Sequence, residues 1–449
     1  MEKSVKVIGL DIGTTSISAA VLEPHTGKTL RAYTVPNGSF LQTGHAWERV
    51  QDPALIVAKT QKLLDEILDD YPGAAAIGLT GQMHGIVYTD EDGSCVSPLY
   101  TWQDGRGALL DADGKNLCER LKERYGGGFY PGYGLVTHLY NLRHGLVPPG
   151  AAKLCTIMDY LGMVLTGRRM PLVHTSNAAG FGFYDLSAAD FRREQLEAER
   201  ISGAVLPELT ASIAPLGSYR GVPVAIAIGD NQASFFGSVR HGREEILVNV
   251  GTGSQVSMLT DRIVTGDDIE ARPFVENSYL AVGASLCGGR AYAALADFFA
   301  QCAQAFHTEK IDIYAVMDGM LDTYRNPNHL LIDTAFEGTR DHPERCGSIR
   351  NLTTGNFDPA SLTYGVLDGI ARELYERYQT MRPGAPCSHS RIIGSGNGLR
   401  KNAHLQKIVR ERFGMQLQLS QCREEAACGA AIAAFTAVSP MTWREVVGI

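Results

Sequence analysis

The sequence has no long block of Lys and Arg, no long uncharged apolar run and no Cys-x-x-Cys pair. The isoelectric point is near 5.9 and there is no basic block. We therefore do not expect the protein to bind nucleic acid independently of sequence, or to bind an anionic membrane. No stretch approaches the ~18 apolar residues of a membrane-spanning helix, and the first residues contain no apolar core of a signal peptide. These absences predict a cytoplasmic protein that binds neither nucleic acid nor membrane.

Cysteine is present but unpatterned. The nine cysteines are an odd number without metal-ligand spacing, which is typical of reduced thiols in a reducing compartment. We interpret all of them as structural: Cys95, Cys118, Cys155, Cys287, Cys302, Cys346, Cys387, Cys422 and Cys428.

The chain has 449 residues, of which 44% are hydrophobic and 20% are charged, and its formal net charge is −8. This is an ordinary globular composition. At ~100–200 residues per domain, the length predicts two or three domains with room for a cleft between large cores. A compact binding module is therefore not expected, whereas a small anionic substrate could still be held locally.

Two segments of the chain resemble each other. Residues 8–16, IGLDIGTTS, align without a gap to residues 246–254, ILVNVGTGS. Each is a β-rich run, a Gly/Thr turn and a second β-rich run, which is the pattern of a hairpin. The repeat predicts a duplicated α/β architecture with domains at residues 1–243 and 244–449. Chance similarity between short Gly-rich strings is the alternative.

Local signals place further elements. Asp52 is a predicted N-cap with Pro53 at the first helical position, and residues 74–80 have the composition of a buried strand. Residues 222–228 form another apolar, β-branched run that ends at Gly229-Asp230. Because ligands of open α/β sheets bind at strand ends, Asp230 is a candidate site residue.

The two Gly/Thr turns could hold phosphate. In the first turn, Gly13 permits close backbone approach, amides and hydroxyls can face phosphate oxygens, and the Asp11 carboxylate can hold Mg²⁺ through water. Residues 251–254, GTGS, would form the facing half of a pincer. Two ordinary structural turns are the alternative interpretation.

Asp230 could accept a proton from a substrate hydroxyl, since phosphoryl transfer needs a positioned base and charge neutralisation. A helix N-cap is an equally good interpretation from spacing alone. Gln82, Met83 and His84 could line a polyol pocket, to which residues 102–106, WQDGR, would add an aromatic wall and charges. Ordinary packing is the alternative for both segments.

Near the C-terminus, a predicted strand at Ile392 and Ile393 leads into residues 394–398, GSGNG, and then a helical pattern over 399–412. Such a strand, turn and helix suits the base and ribose of a nucleotide. Residues 424–431, EEAACGAA, begin a helix of small side chains that would allow a neighbouring backbone to approach closely.

Taken in order, these motifs make nearly the whole chain, from Gly9 to about Phe435, resemble the FGGY family of carbohydrate kinases. Six short segments carry the resemblance, and their order is more specific than any one of them: GLDIGTTS at 9–16, GQMHG at 81–85, DYL at 159–161 with LTG at 165–167, GDNQ at 229–232, GTG at 251–253 and GSG at 394–396. GQMHG is shared with xylulokinases, whereas residues 101–106, 177–182 and 279–289 look more like sedoheptulokinases.

The resemblance implies a two-domain, duplicated actin-like ATPase (ribonuclease H-like) fold of the α/β class, with a catalytic cleft between the domains. It implies transfer of phosphate from ATP, with Mg²⁺, to the terminal hydroxyl of a ketose, and the sedoheptulokinase-like segments favour a seven-carbon one. The implied roles are Asp230 as catalytic base, Asp11 and Asp230 around Mg²⁺, Thr14, Thr15, Gly251 and Thr252 at the phosphates, Gln82, Met83, His84, Trp102, Asp104, Asp230 and Asn231 at the sugar, and Gly396, Asn397 and Lys401 near adenosine.

Two positions depart from the family pattern. Ser18 stands where many members have Lys or Arg, so another residue or Mg²⁺ must supply that charge, and Asn397 stands where relatives often have Gly. A xylulokinase or ribulokinase is the alternative within the family, and an actin-like ATPase switch without a sugar substrate is the alternative outside it. Related kinases are often dimers, so a homodimer stays open.

Overall fold

The chain folds into two units, which the computed structural model describes over residues 5–306, 311–385 and 388–446. Unit 1 contains residues 5–240, 272–278 and 421–446, and unit 2 contains the described residues of 241–271 and 279–420. Unit 1 thus draws segments from both sides of residue 243. The predicted structural thiol Cys387 lies outside the described residues.

The first part of unit 1 alternates strands with helices. Its strands are β1 Val7–Ile12, β2 Ser16–Glu23, β3 Lys28–Pro36, β4 Val50–Gln51, β5 Ala76–Gly81, β6 Val87–Thr89, β7 Leu99–Tyr100, β8 Lys153–Cys155, β9 Leu172–His174, β10 Tyr184–Asp185, β11 Asp190–Phe191, β12 Glu208–Thr210, β13 Pro215–Tyr219 and β14 Val222–Ala225. Its helices are α1 Pro53–Asp70, α2 Leu117–Tyr125, α3 Gly134–Arg143, α4 Ile157–Thr166, α5 Thr175–Ala178, α6 Arg193–Ala198 and α7 Asp230–Ser238.

The main sheet of unit 1 has the strand order β13-β14-β5-β1-β2-β3. β1 is antiparallel to β2 and parallel to β5, and β14 is parallel to β5. Because β1, β5 and β14 run in one direction, their carboxyl ends lie at the same edge of the sheet. That edge carries the residues that follow each strand.

Unit 2 contains the second set of elements. Its strands are β15 Glu245–Val250, β16 Ser254–Thr260, β17 Ile269–Pro273 (whose last residues belong to unit 1), β18 Tyr279–Ser285, β19 Leu331–Asp333, β20 Ser348–Arg350, β21 Arg391–Ser395 and β22 Gln416–Leu419. Its helices are α8 Gly289–Ala305, α9 Ile313–Thr323, α10 Pro359–Met381, α11 Asn397–Lys401 and α12 Ala403–Phe413.

The sheet of unit 2 repeats the pattern of unit 1. Its strand order is β17-β18-β16-β15-β21-β22. β15 is antiparallel to β16 and parallel to β21, which is parallel to β22. These relations match those among β1, β2, β5 and β14. The predicted duplication, with a hairpin opening each half, is therefore confirmed.

Unit 1 is completed by α13 Glu425–Val438 and α14 Trp443–Val446. A Cβ added to Gly9 on β1 or to Gly78 on β5 would lie 1.8 Å from a backbone oxygen of α13. Gly429 of α13 approaches α7 just as closely, since its Cβ would lie 1.6 Å from the Ala233 oxygen. The small residues predicted to allow close backbone approach therefore do so, and they fix α13 against the sheet and α7.

Several local predictions are confirmed, and two need correction. Asp52 caps α1 by accepting hydrogen bonds from the amides of Ala54 and Leu55. The predicted helix over 399–412 is two helices, because Asn402 interrupts it and caps α12 through the Leu405 amide. The strand predicted over 222–228 ends at Ala225. Within the described residues, no helix is both long and apolar enough to cross a bilayer.

Candidate active site

The carboxyl edge of the unit 1 sheet brings together two carboxylates from distant parts of the sequence. Asp11 lies near the end of β1, in register with Thr80 on β5. Asp230 is the first residue of α7, directly after the segment that follows β14. The Thr80 hydroxyl donates to the Ile228 carbonyl at 2.8 Å and so ties that segment to β5. The sheet thus holds both acids on the same edge.

Asp11 lies in a strongly acidic environment. Burial, together with the negative charges of Asp230 and Glu424, raises its pKa from 3.8 to about 7. Glu424 accepts a hydrogen bond from the Thr34 hydroxyl at 3.3 Å, and Thr34 lies 3.3 Å from the Ser18 hydroxyl. The strand position where a basic residue was expected from the family pattern is therefore connected to another carboxylate.

Asp230 is held in a half-buried position at the start of α7. Burial raises the pKa of its carboxyl group, while the positive charge of Arg272 and a hydrogen bond from the Asn231 amide lower it. Sequence reasoning missed Arg272, because nothing in the local sequence connects residues 272–278 to residue 230. A positive charge beside a carboxylate favours the ionised form that a general base requires.

The chemistry of these donors fits a magnesium ion. Mg²⁺ is usually bound through one or two carboxylates, together with water and substrate phosphates. Asp11 and Asp230 are close enough that the charge of one raises the pKa of the other, as expected where a cation is needed. Among the described residues, no cluster of three or more His, Cys, Asp or Glu side chains could hold a metal. The protein ligands would therefore need phosphate and water to complete the coordination.

Thr14, Gln82 and Trp102 form one hydrogen-bonded group, although they come from three segments. The Thr14 hydroxyl donates to Gln82 Oε1 at 3.3 Å and accepts from Trp102 Nε1 at 3.0 Å. Gln82 is 5% exposed, and its amide nitrogen donates to Gln51 Oε1 at 2.9 Å. Thr15 of the same turn is exposed. A residue predicted at the phosphates thus contacts two that were predicted at the sugar.

Met83 and His84 lie in the loop after β5. The imidazole of His84 stacks on Tyr133, with ring centroids 4.6 Å apart, and its Nδ1 lies 2.9 Å from the Gly180 carbonyl oxygen. Met83 is buried, and a Cβ added to Gly229 would lie 2.7 Å from its sulfur. The loop therefore contacts the residue immediately before Asp230.

Asp104 lies in a buried ion pair with Arg106. Both it and Arg106 are almost completely buried, and the Arg106 Nε donates to Asp104 Oδ1 at 2.6 Å. The other carboxylate oxygen accepts from the Arg49 amide at 3.1 Å and from Arg106 Nη2 at 3.2 Å. The Arg106 guanidinium also lies over the ring of Tyr100, 4.3 Å from its centroid. The polar atoms of Asp104 are thus engaged within the protein.

Asn231 has a spare hydrogen-bonding group. Its Oδ1 atom is buried and has no hydrogen-bond partner within the part of the chain that the structure describes. An unsatisfied buried amide oxygen is costly unless a ligand supplies a donor. Because Asn231 follows Asp230 directly, a hydroxyl of a bound substrate could be that donor.

The candidate nucleotide residues of unit 2 lie in its hairpin turn and in the segment that follows β21. The carbonyls of Gly251 and Thr252 accept hydrogen bonds from the amides of Gly289 and Arg290 at 2.9 and 3.0 Å, at the start of α8. Gly396 has a positive φ of 82°, and a Cβ there would lie 2.4 Å from the Val250 oxygen. Asn397 begins α11, and Lys401 at its end is exposed. The structure thus gathers Gly251 and Gly396 at one end of β15.

Two α/β units that repeat one order of parallel and antiparallel strands, each opening with a Gly/Thr hairpin, define a duplicated actin-like ATPase fold. More narrowly, the chain belongs to the FGGY family of carbohydrate kinases. The family's N-terminal domain matches residues 6–237 and its C-terminal domain matches residues 247–438. The chain is therefore a carbohydrate kinase, and ATP is the phosphate donor of this family.

Relatives extend over nearly the whole chain. The sedoheptulokinase of Mus musculus is 26% identical and covers 95% of this chain and 96% of its own length. A xylulose kinase of Staphylococcus epidermidis is 24% identical, covering 95% of this chain and 87% of its own. The crystal structure of xylulose kinase from Rhodospirillum rubrum shares the fold with a TM-score of 0.82 at 21% identity, over 99% of this chain and 92% of that one.

The raised pKa of Asp11 predicts a pH-dependent effect of Asp11→Asn on stability. The unfolded chain releases this proton near pH 3.8, whereas the folded protein retains it up to about pH 7. Ionisation of Asp11 therefore lowers the stability of the folded wild-type protein as the pH rises through this interval. Above the interval the loss of stability is complete. Relative to wild type, the Asp11→Asn variant should gain stability from pH 5 to pH 7 and then level off, as measured by urea unfolding without divalent cations.

The control for this experiment is Asp261→Asn, which changes an exposed carboxylate. Because this side chain is exposed, the gain in stability between pH 5 and pH 7 expected for Asp11→Asn should be absent in Asp261→Asn. A flat pH profile for Asp11→Asn as well would show that Asp11 is not in the electrostatic environment described here.

Proposed function

We propose that the chain phosphorylates the terminal hydroxyl of a ketose, and that sedoheptulose, giving sedoheptulose 7-phosphate, is its preferred substrate. The observation that carries the choice of sugar is the similarity to the sedoheptulokinases of Mus musculus and Homo sapiens, which extends over 95% of this chain. Xylulokinase is the second candidate, because a xylulose kinase of Staphylococcus epidermidis matches the chain over the same share of its length.

In this proposal Asp230 is the general base. Its carboxylate takes the proton from the terminal hydroxyl, whose oxygen forms a bond to the γ-phosphorus of ATP while the bond from that phosphorus to the bridging oxygen breaks and ADP leaves. Burial raises the pKa of the Asp230 carboxyl group, and the positive charge of Arg272 opposes that rise and so favours the ionised form that accepts the proton. A magnesium ion held by Asp11 and Asp230 would neutralise phosphate charge when bound.

The remaining candidate residues receive roles that agree with their chemistry. The hydroxyls and amides at Thr14, Thr15, Gly251 and Thr252 would donate to phosphate oxygens. Asn231 would use its unpaired Oδ1 on a sugar hydroxyl, beside Gln82, Met83, His84 and Trp102. Gly396, Asn397 and Lys401 would contact adenosine. For Asp104 we propose an indirect role, in which its pair with Arg106 fixes the segment that carries Trp102.

The experiment that tests the proposal is ADP release by the purified protein with Mg-ATP and each of several sugars. We expect kcat/KM for sedoheptulose to exceed that for xylulose and ribulose at least tenfold, since these pentuloses are two carbons shorter and a single methylene in a pocket is already worth roughly 10–200-fold. Fructose, glycerol and a reaction without sugar serve as controls, and mass spectrometry identifies the product as a heptulose monophosphate.

A higher kcat/KM for a pentulose would keep the reaction and make xylulokinase or ribulokinase the correct subgroup. ATP hydrolysis that responds to no sugar, but does respond to a protein partner, would instead favour the actin-like switch.

A further inference from the structure

Gly229, the residue before Asp230, is the first of several residues joined by consecutive buried hydrogen bonds. The Gly229 amide donates to the Ser176 hydroxyl at 2.9 Å, and that hydroxyl lies 2.8 Å from His174 Nδ1. His174 Nε2 lies 3.1 Å from the Ala211 carbonyl oxygen. Both side chains are almost completely buried, His174 at 0% and Ser176 at 1% exposure.

The donor and the acceptor in each of these hydrogen bonds can be assigned in only one way. The Ala211 carbonyl only accepts, so His174 must carry its proton on Nε2. Burial lowers the pKa of His174 to about 4, and the neutral ring therefore leaves Nδ1 as an acceptor at neutral pH. Nδ1 accepts from the Ser176 hydroxyl and also, at 3.2 Å, from the Ser176 amide, so that His174 caps α5. The Ser176 hydroxyl oxygen in turn accepts from the Gly229 amide.

This arrangement acts on the start of α7. Gly229 is the N-cap residue of α7, but as a glycine it has no side chain with which to cap the helix or fix its own position. The hydrogen bond from its amide to Ser176 supplies that constraint from a neighbouring segment. The constrained peptide is the one between Ile228 and Gly229, and because Gly229 is joined directly to Asp230, holding it limits the positions that the Asp230 side chain can take.

The same network reaches the segment that carries Arg272. The Ala211 carbonyl that accepts from His174 also accepts from the Glu276 amide at 2.7 Å. The Gln232 amide nitrogen, two residues after Asp230, donates to the Pro273 carbonyl at 2.7 Å. The segment bearing the charge beside Asp230 is therefore tied to the start of α7 from both sides.

We propose that His174 and Ser176 are positioning residues that hold the Ile228–Gly229 peptide, directly before Asp230, and so aim the Asp230 carboxylate at the hydroxyl to be deprotonated. The inference rests on the proposed role of Asp230. Neither residue contacts the reacting atoms, and both act through Gly229. A hydroxyl at position 176 and a neutral imidazole with its proton on Nε2 at position 174 are the two requirements.

The test compares Ser176→Ala, His174→Gln and the double variant in steady-state kinetics. His174→Gln keeps a donor for the Ala211 carbonyl but removes the ring acceptor of the Ser176 hydroxyl. We expect each single change to lower kcat about tenfold while the KM values for sugar and ATP stay within about twofold. Both single changes break the same series of hydrogen bonds. The kcat of the double variant should therefore be little lower than that of either single variant. Ser176→Thr, which keeps the hydroxyl, should restore most of kcat.

The matched control is Ser202→Ala. It also removes a serine hydroxyl that accepts a backbone amide, that of Ala204 at 3.2 Å, but on an exposed turn. Its kcat should equal that of wild type. Wild-type kcat per folded molecule in Ser176→Ala would overturn the proposal, even if His174→Gln failed to fold. Additive losses in the double variant would also overturn it, since two unconnected residues would behave in that way.

Asp230→Asn, measured beside these variants, separates this inference from the one on which it rests. Loss of turnover in Asp230→Asn together with normal turnover in Ser176→Ala would contradict the positioning role of His174 and Ser176 but leave Asp230 as the base. Normal turnover in Asp230→Asn would contradict the assignment of Asp230 as the general base.

Discussion

Asp230→Asn is expected to lower kcat by roughly 10²–10⁴-fold, the usual contribution of a positioned general base. Asparagine has nearly the same shape but cannot accept the hydroxyl proton, so the chemical step loses its base while the start of α7 keeps its fold. The dissociation constants of sugar and of ATP, measured by calorimetry, should stay within a few fold. Rapid-quench measurement of the first turnover reports the chemical step directly.

Asp261→Asn is the control, because it makes the same chemical change at an exposed carboxylate. Its kcat should equal that of the unmodified protein. If Asp230→Asn retained kcat within about threefold, Asp230 would not be the base. A large rise in the dissociation constant of the sugar with little change in the first turnover would instead assign Asp230 to binding.

Asp104→Ala is expected to lower the free energy of unfolding by about 3–5 kcal/mol, because it leaves the buried guanidinium of Arg106 without its carboxylate. The ring of Tyr100 beneath that guanidinium offsets only part of the cost. Urea unfolding monitored by circular dichroism measures the change. The KM for sugar of the folded fraction should rise only modestly, because Asp104 would act through the position of Trp102.

The matched control is the exposed pair between Asp113 and Arg120, both of which are more than a third exposed. Asp113→Ala should lower the free energy of unfolding far less than Asp104→Ala does, since exposed ion pairs contribute little. An unchanged free energy of unfolding in Asp104→Ala, combined with a sharply raised KM for sugar, would contradict the structural role and favour direct contact with the sugar.

The features that the sequence predicts well are those written in adjacent residues. Both Gly/Thr hairpins, the Asp52 cap and the position of Asp230 after a buried segment follow from local patterns, because turn residues, caps and buried runs act over a few positions. The order of the six short motifs added the family, which no single motif could have supplied.

The features that sequence reasoning missed depend on contacts between distant segments. Arg272 affects Asp230, and Glu424 affects Asp11, only because the fold brings separate segments together. Asp104 and Arg106 were open to interpretation as polyol ligands, since a loop pattern of acid, glycine and base does not reveal burial. The interrupted helix at Asn402 shows the same limit, because periodicity continues through a residue that restarts the helix.

The packing of α13 against unit 1 has a consequence for protein synthesis. β1 and β5 are synthesised early. The helix that covers their glycines, α13, is synthesised only after all of unit 2. Until then one face of the first sheet, and one side of the helix that carries Asp230, lacks its native cover and must be kept from aggregation. Unit 2 is nearly continuous in sequence and can form while translation continues, whereas unit 1 cannot complete its packing until residues 425–438 have been synthesised.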